Sequence, residues 1–432
     1  MGNIVIEGPS KLNGTISLQG SKNAMLINLA LPLLTDEECI ISNVPRIRDI
    51  ELNLSIIEKL GGRVNWIDRH TVSIKCDTVG DLEIDPSDAI KTTGSKYFIP
   101  LLVRRFGKVT TGPSLGDNIG HDRGFSKFLE LLESFSIGYE KCGDRHIFFS
   151  KAFGGRVSLI RLPFPSFSAT VTAILSHVVG GEGAVEIQNA HLAAEIKNSV
   201  EMLRSMGAEI TSEGSMIKVA GVKKLGGVHF RNMSDRNALV TYAVAALITD
   251  GDVSVTSIDD DGLEPFWEFL DRVGANYNKS KSSATFYPSL NNLKPVDIFA
   301  FMWPKFHSDW QPLVAPLLSR IHGESSITDD LWEDRFGYMK ELKKMGLSYD
   351  NFNPSDSRFT DGKAHGVKIH GPSILCGSSV TALDVRGGAS LVLAGLAANG
   401  KTIIGSIEQI ERGYEDITGV LSSLGANIRY DA

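Results

Sequence analysis

Cysteine is scarce in this sequence, and the few cysteines stand far apart. Only four occur in 432 residues, and no two of them form a C-x-x-C pair. Such spacing fits neither a disulfide framework nor a zinc site. The four are Cys39, Cys76, Cys142 and Cys376. The sequence therefore predicts a protein of a reducing compartment.

An excess of positive charge and long apolar runs are also absent. The formal net charge of -7 at pH 7 argues against a protein whose main ligand is a nucleic-acid backbone or an anionic membrane. The longest apolar stretches, residues 238–248 and 390–398, fall well short of the ~20 residues of a membrane span, so we expect buried helices there. Residues 3–8 read as a strand and lack the basic-then-apolar order of a signal peptide. A cytoplasmic protein is expected.

The sequence does contain a repeated pattern of an amphipathic helix, a small residue and a strand. The length of the whole chain predicts two domains of roughly 200 residues each. In five copies a glycine follows the last apolar helical residue, and Ser136 takes its place in the second copy. The pattern therefore predicts that a left-handed residue ends each helix and that each domain consists of three compact units. A merely frequent helix ending is the alternative for any single copy. The six copies lie at residues 58–64, 132–138, 203–210, 271–277, 343–349 and 422–428.

Two segments of the first half suit an anionic substrate. Residues 20–23 precede an apolar helix, so Ser21 is a candidate N-cap, and Lys22 adds a charge where a helix end attracts phosphate. A capped helix with a solvated lysine is the alternative. The glycine-bracketed residues 116–120 and the charged residues that follow them could place a general acid on a loop, although surface turns look similar.

Three further segments lie in the second half. Asp309 stands among aromatic residues, where it could act as a base, with a capping aspartate as the alternative. It is followed after an interval by residues 332–336, which contain Arg335. Arg386 and Arg412 each stand beside a carboxylate just before a helix, and structural ion pairs are the alternative there.

Taken together and in this order, the segments from Lys22 to Arg412 resemble the enolpyruvyl transferase family over the full chain. Within it they are most similar to the branch that uses UDP-N-acetylglucosamine, because the shikimate 3-phosphate branch usually has serine where this chain has Asn23. The resemblance implies an α/β fold: a two-domain inside-out α/β barrel with three βαβαββ repeats in each domain. It implies a first domain over residues 22–230, a second over residues 1–21 plus 231–432, and an active site in the interdomain cleft.

In that family the carboxyvinyl group of phosphoenolpyruvate moves to an acceptor hydroxyl by addition and then elimination of phosphate, without a cofactor or metal. The resemblance assigns phosphate binding to Lys22 and Arg412, and binding of the carboxylate to Arg335 and Arg386. Arg123 is a further candidate ligand of phosphoenolpyruvate. Arginine suits such planar, bidentate contacts.

The resemblance also assigns catalytic roles. Asp309 is matched to the residue that takes the acceptor proton, Asp384 to a second active-site carboxylate, and Asn23 to a residue that stabilises the tetrahedral intermediate. Asp117 stands where most members have a cysteine; a carboxylic acid can protonate carbon 3 but is not alkylated as a thiolate is. Acceptor binding is assigned to Asn23, Ser166, Phe167, Ser168 and Asp309.

Departures from the family pattern cluster in the acceptor half. Residues 92–95 replace an arginine-containing stretch, Phe164 stands where a lysine is expected, and Asp122 takes an arginine position unless a one-residue insertion brings in Arg123. Because an unpaired buried phosphate is costly, these losses favour an acceptor with less phosphate, unless Lys91, Lys96 and Arg123 replace the missing cations. UDP-N-acetylglucosamine is the default acceptor, and UMP, used by a relative in nucleoside-antibiotic biosynthesis, is the alternative. A non-catalytic nucleotide-binding paralogue is the alternative from another class, and no nucleic-acid or membrane partner is expected.

Overall fold

A computed structural model of the chain describes residues 2–112, 125–151, 157–332, 334–355 and 363–431. These residues divide into two compact units. The central unit contains the described residues from Gly20 to Met233, and the terminal unit contains those up to Gln19 and those from Ser234 onward.

Helices and strands alternate along both units. As far as the end of the central unit they are β1 (Asn3–Gly8), β2 (Asn13–Ser17), α1 (Lys22–Asn28), β3 (Cys39–Ser42), α2 (Arg48–Lys59), β4 (Arg63–Asp68), β5 (Thr71–Lys75), α3 (Pro86–Ala89), α4 (Ser95–Phe106), β6 (Lys108–Thr111), α5 (Phe125–Ser134), β7 (Ile137–Cys142), β8 (Arg145–Ser150), β9 (Leu159–Arg161), α6 (Phe167–His177), β10 (Ala184–Gln188), α7 (Ala194–Ser205), β11 (Glu209–Glu213), β12 (Met216–Ala220) and β13 (Val228–Arg231). The terminal unit continues with α8 (Arg236–Ile248), β14 (Asp252–Thr256), α9 (Glu264–Val273), β15 (Tyr277–Lys279), β16 (Ser283–Phe286), β17 (Asp297–Phe301), β18 (Phe306–His307), α10 (Gln311–Leu318), β19 (Gly323–Asp329), α11 (Tyr338–Lys344), β20 (Ser348–Phe352), β21 (Gly366–Gly371), β22 (Ser379–Thr381), α12 (Val385–Ala397), β23 (Gly400–Gly405), α13 (Glu408–Glu411), α14 (Ile417–Ser423) and β24 (Ile428–Asp431). Short 3₁₀ helices span Leu31–Leu34 and Leu290–Asn292.

Each repeated helix end has the left-handed residue that the sequence predicts. Glycine takes this backbone conformation without a Cβ clash, and Ser136 takes it where glycine is missing. A strand follows each of these ends, namely β4, β7, β11, β15, β20 and β24. The predicted repeat of helix, left-handed residue and strand is therefore confirmed. The six φ angles are 97° at Gly61, 61° at Ser136, 102° at Gly207, 76° at Gly274, 96° at Gly346 and 101° at Gly425.

The described strands form six sheets, three in each unit. One pairing scheme recurs: β13 runs parallel to β3, β3 antiparallel to β5, and β5 antiparallel to β4. The same scheme relates β2, β14, β16 and β15, and also β9, β10, β12 and β11. Strand β1 completes a sheet of C-terminal strands by pairing antiparallel with β23 and β24. The α/β fold with repeated βαβαββ units is thus as predicted.

Helices form the interior of the terminal unit. Helices α8, α10 and α12 pack against one another, and every residue in each of the three is buried. A helix that is apolar on all sides must be enclosed in this way, so the predicted buried helices at residues 238–248 and 390–398 are confirmed. The central unit has its own apolar core. In the part of the chain that the structure describes, no helix is both long and apolar enough to cross a membrane.

Candidate active site

Two arginines and two aspartates form the charged centre of the terminal unit. Nη2 of Arg335 lies 3.3 Å from Oδ1 of Asp309, and Nη1 lies 3.5 Å from Oδ1 of Asp384. Nε of Arg386 lies 3.6 Å from Oδ2 of Asp309. These separations exceed the about 2.7–2.9 Å of a well-formed charge-assisted hydrogen bond. The structure therefore brings four predicted site residues together without locking the guanidinium groups into tight bidentate pairs.

Both guanidinium groups are buried, and each has an N–H donor that makes no hydrogen bond within the described residues. Arg335 is 3% exposed and Arg386 is 4% exposed. Nε of Arg335 and Nη1 of Arg386 have no hydrogen-bond partner among the described residues. Burial opposes the charge of Arg335, but the carboxylates of Asp384 and Asp309 outweigh that effect and raise its pKa. Because buried donors without partners are costly, the cluster is suited to receive an anion.

Local structure holds the two aspartates in different ways. Asp384 is the N-cap of α12, and its Oδ1 accepts hydrogen bonds from the backbone N–H groups of Arg386 and Gly387 at 2.9 and 3.0 Å. This cap fixes the helix turn that carries Arg386. Asp309 does not cap α10, since Trp310 is the N-cap and no side chain caps that helix. Asp384 thus caps a helix and also contacts Arg335, whereas Asp309 has no capping role.

Arg412 and Tyr414 lie on the segment after α13. Arg412 is half-buried, and its Nη1 donates to Oε1 of Gln409 at 3.4 Å. Cζ of Arg386 lies 5.4 Å from the ring centroid of Tyr414, close enough for a cation–π contact. The Tyr414 hydroxyl is 2.7 Å from Oγ1 of Thr241. Tyr414, which the sequence did not single out, therefore helps to orient Arg386.

A third carboxylate, that of Asp329, lies behind this cluster and is fully buried. Burial raises its pKa to about 6, although a hydrogen bond from Ser308 and the charge of Arg335 act in the opposite direction. Sequence reasoning missed this residue. The available signal was the alternation along β19, where Ser325, Ile327 and Asp329 all point inward and are buried.

In the central unit Lys22 is paired with a carboxylate that the sequence did not identify. Ser21 is the N-cap of α1, as predicted, and its Oγ accepts from the backbone N–H of Ala24 at 3.3 Å. Nζ of Lys22 lies 2.8 Å from Oδ2 of Asp49, with the two side chains only 7% and 2% exposed. The alternative of a solvated lysine is therefore wrong. Asn23 follows at the start of α1 and is half-buried.

The segment that lacks the family's arginine is neutral and buried beside α2. Oγ1 of Thr92 accepts from Nδ2 of Asn53 at 2.9 Å and from the backbone N–H of Gly94 at 3.0 Å. Nδ2 of Asn53 also donates to the backbone carbonyl of Asp49 at 2.6 Å. Oδ1 of Asn53 is buried and has no partner among the residues described. This segment therefore has neutral hydrogen-bonding groups, and no cation, near Asp49, the partner of Lys22.

The predicted acceptor turn lies at the start of α6. Ser166 is the N-cap, with Oγ accepting from the backbone N–H of Ala169 at 3.3 Å. The ring of Phe167 meets the ring of His191 edge to face, with centroids 5.9 Å apart. Ser166, Phe167 and Ser168 are all half-buried. They are partly accessible to a ligand, and the cap hydrogen bond holds Ser166 at the helix start.

Phe164 stands next to this turn, at the position where a lysine was expected. Its ring is exposed, and Nζ of Lys127 lies 5.8 Å from the ring centroid. A pocket of about 730 Å³ opens beside the two residues that precede it, Leu162 and Pro163. A cation therefore does stand near position 164, but it comes from α5.

Asp117, Asp122 and Arg123 lie outside the described residues, so the roles assigned to them stay predictions. Within the described ranges, no group of histidine, cysteine, aspartate and glutamate side chains could hold a metal ion.

Comparison with known proteins places these observations in a family. The model of the EPSP synthase (3-phosphoshikimate 1-carboxyvinyltransferase) family matches residues 6–421. UDP-N-acetylglucosamine 1-carboxyvinyltransferase of Halothermothrix orenii is 34% identical over 436 residues, which cover 99% of this chain and 99% of that protein. UDP-N-acetylglucosamine 1-carboxyvinyltransferase 1 of Clostridium acetobutylicum is 31% identical over 433 residues, again covering 99% of both chains.

Solved structures agree with the fold. The enolpyruvyl transferase NikO from Streptomyces tendae superposes with a TM-score of 0.89 at 23% identity, covering 100% of this chain and 99% of that chain. EPSP synthase from Acinetobacter baumannii superposes with a TM-score of 0.76 at 18% identity, covering 100% of both chains. The resemblance seen in the motifs is thus confirmed over the full length. The chain belongs to the EPSP synthase family and is an enolpyruvyl transferase.

Proposed function

We propose that this enzyme transfers the carboxyvinyl group of phosphoenolpyruvate to a hydroxyl of UDP-N-acetylglucosamine and releases phosphate. The observation that carries the proposal is the pair of buried guanidinium groups of Arg335 and Arg386, each with a donor that has no partner in the described structure. A carboxylate such as that of phosphoenolpyruvate matches this planar donor set. Asp309 contacts both arginines, which puts a candidate base beside the bound carboxylate.

Each step of the reaction then has a proposed group. The Asp309 carboxylate accepts the proton of the acceptor hydroxyl while that oxygen attacks carbon 2 of phosphoenolpyruvate. Asp117 supplies the proton that carbon 3 gains. Carbon 3 then returns a proton to the Asp117 carboxylate as phosphate leaves, which restores the double bond in the enolpyruvyl product. The charges of Lys22 and Arg412 stabilise the leaving phosphate, and preorganised cations of this kind are a major source of catalysis. Further proposed roles are binding of phosphoenolpyruvate by Arg123, stabilisation of the tetrahedral intermediate by Asn23, and support of the site by Asp384.

The acceptor is proposed from the relatives. Two proteins named for transfer to UDP-N-acetylglucosamine are 34% and 31% identical to this chain over almost its full length. UMP is a second candidate, because Thr93 and Phe164 stand where the family resemblance implies cations that a diphosphate would meet. In either case Ser166, Phe167 and Ser168 are proposed to contact the acceptor.

Phosphate release from phosphoenolpyruvate tests this function. We expect release, together with an enolpyruvyl product detected by mass spectrometry, when the purified enzyme is given UDP-N-acetylglucosamine. Asp309→Asn is the control that identifies a contaminating phosphatase, because a contaminant would act equally in both preparations. Release with UMP alone would favour the second acceptor. The transfer reaction itself would be contradicted if neither acceptor gave product.

A further inference from the structure

Asp329, the last residue of β19, connects two segments of the candidate site. Its Oδ2 accepts a hydrogen bond from the hydroxyl of Ser308 at 2.6 Å, and its Oδ1 accepts one from the backbone N–H of Leu331 at 3.0 Å. The backbone N–H of Trp332 also donates to this carboxylate. The backbone N–H of Asp329 itself donates to the carbonyl of His365 at 3.0 Å, and β19 lies between β17 and β21. The carboxylate is therefore anchored on an inner strand.

The two connected segments carry two of the reacting groups. Ser308 immediately precedes Asp309, and the backbone that Asp329 holds at residues 331 and 332 leads to Arg335. We propose that Asp329 is a positioning residue that sets the separation of Asp309 and Arg335 through these two links, an inference that rests on the proposed function. The contact between Asp309 and Arg335 is 3.3 Å long, which is too long for a strong hydrogen bond to hold the two side chains together. Their separation therefore depends on where the two segments are anchored.

Catalysis is sensitive to such anchoring. A misplacement of about 1 Å can lower a rate by about 100-fold. A change at Ser308 or Asp329 is thus expected to slow the reaction even when the fold is retained.

Two substitutions separate positioning from simple core stability. Ser308→Ala removes one link and leaves Asp309 and Arg335 in place. Asp329→Asn keeps the size of the side chain, its carbonyl can accept from Leu331, and its amide can donate to the Ser308 hydroxyl, so the fold has the means to survive. The substitution removes only the second oxygen of the carboxylate, which is an acceptor, and the negative charge of the side chain.

Ser325→Ala is a matched control on the same strand. Ser325 is buried like Ser308, and its Oγ accepts from the backbone N–H of Val296 at 3.1 Å. Its replacement therefore also removes one buried hydrogen bond, but that bond ties β19 to the start of β17 rather than to Asp309 or Arg335.

The experiment measures kcat, the KM for phosphoenolpyruvate and the unfolding transition of the full chain. Ser308→Ala is expected to lower kcat at least about tenfold. Asp329→Asn is expected to lower kcat and also to raise the calorimetric Kd for phosphoenolpyruvate several-fold, because the amide has one acceptor oxygen instead of two for the backbone N–H groups of Leu331 and Trp332, and the segment that leads to Arg335 is held less firmly. Ser325→Ala is expected to keep the wild-type constants. Wild-type constants in both site variants, or losses that merely follow the unfolded fraction in all three, would overturn the positioning role.

The same experiment distinguishes this inference from the function it rests on. A wild-type enzyme that forms no product with either acceptor would contradict the proposed function. The calorimetric Kd for phosphoenolpyruvate would then decide the role of Asp329 without any turnover: a weaker Kd in Asp329→Asn than in Ser325→Ala supports it, and equal values overturn it.

Discussion

The ammonium group of Lys22 lies 2.8 Å from the carboxylate of Asp49, and both side chains are almost completely buried. When one member of such a pair is removed, the other is left as an uncompensated charge in a poorly solvated place. An ammonium group has three N–H donors, so the contact with Asp49 is compatible with the proposed binding of phosphate. Lys22 thus has a structural role in the central unit as well as a proposed catalytic one.

Lys22→Ala is expected to lower the free energy of unfolding by about 3 kcal/mol, because Asp49 stays buried and loses the ammonium group that faces it. The double variant Lys22→Met with Asp49→Asn is expected to recover much of that loss and yet to release no phosphate. Denaturant unfolding and the phosphate assay measure the two effects. Lys151→Ala is the control, since Lys151 pairs with Glu133 at 2.6 Å and both side chains are exposed, and little change is expected. A double variant as unstable as the single one would contradict this account.

Arg386→Lys keeps a positive charge but replaces a planar fork of donors by a point charge, and it ends the contact with Tyr414. We expect the KM for phosphoenolpyruvate to rise at least about tenfold with a smaller effect on kcat. Steady-state kinetics measure both constants. Arg272→Lys serves as control, because Arg272 donates to the backbone carbonyl of Asp297 at an exposed site. An unchanged KM in Arg386→Lys would remove this residue from the binding of the carboxylate.

Much of the fold could be predicted because it depends on local rules. The helix that Ser21 caps and the left-handed ends at residues such as Gly207 and Ser136 follow from neighbouring residues alone. The fully buried helices α8 and α12 follow from the long apolar stretches that they contain. None of these features requires knowledge of a distant contact.

The site could be predicted only in part, because its geometry depends on distant contacts. Motifs pointed to Asp309 and Arg335 separately, but nothing local indicates that they lie 3.3 Å apart. Asp49 and Asp329 were missed for the same reason: each reads as an ordinary acidic residue until the tertiary structure buries it beside its partner. The prediction that Asp309 lies among aromatic residues also left out its two arginine neighbours.

Asp309→Asn is expected to lower kcat by about 100- to 10,000-fold, the usual range for loss of a general base. Binding of phosphoenolpyruvate is not expected to weaken, because the substitution removes a negative charge beside Arg335 and Arg386. Single-turnover kinetics and calorimetry separate the two effects. A variant that binds phosphoenolpyruvate much less tightly while keeping its rate would reverse the assigned role.

Phe164→Lys is expected to favour an acceptor with two phosphates. The position is exposed beside the acceptor turn, and Nζ of Lys127 lies 5.8 Å from the centre of its ring. A second cation should tighten binding of UDP-N-acetylglucosamine more than that of UMP, because it can meet the additional phosphate. Calorimetric titration of both ligands measures the ratio. Leu159→Lys, at another exposed apolar position of the central unit, is expected to leave that ratio unchanged; an equal gain there would show a non-specific effect of charge.

The raised pKa of Asp329 predicts a stability that depends on pH. Burial raises this pKa from 3.8 to about 6, so between these values the folded chain binds a proton that the unfolded chain has released. The stability that the neutral carboxyl contributes is therefore complete below about pH 4 and is lost as the pH rises through about 6, by up to about 3 kcal/mol. Asn at this position does not titrate.

The free energy of unfolding of Asp329→Asn, relative to the wild type, is accordingly expected to rise between pH 4 and pH 7 by up to the same amount. All other ionisable groups are common to both proteins and cancel in the difference. Denaturant unfolding at several pH values measures it, with Ser325→Ala as a control whose difference from the wild type should not vary with pH. If the Asp329→Asn difference were equally flat, the buried carboxyl would not be titrating in this range. A rise, combined with the lower kcat expected for this variant, would mean that the enzyme tolerates an unfavourable buried charge in order to position Asp309 and Arg335.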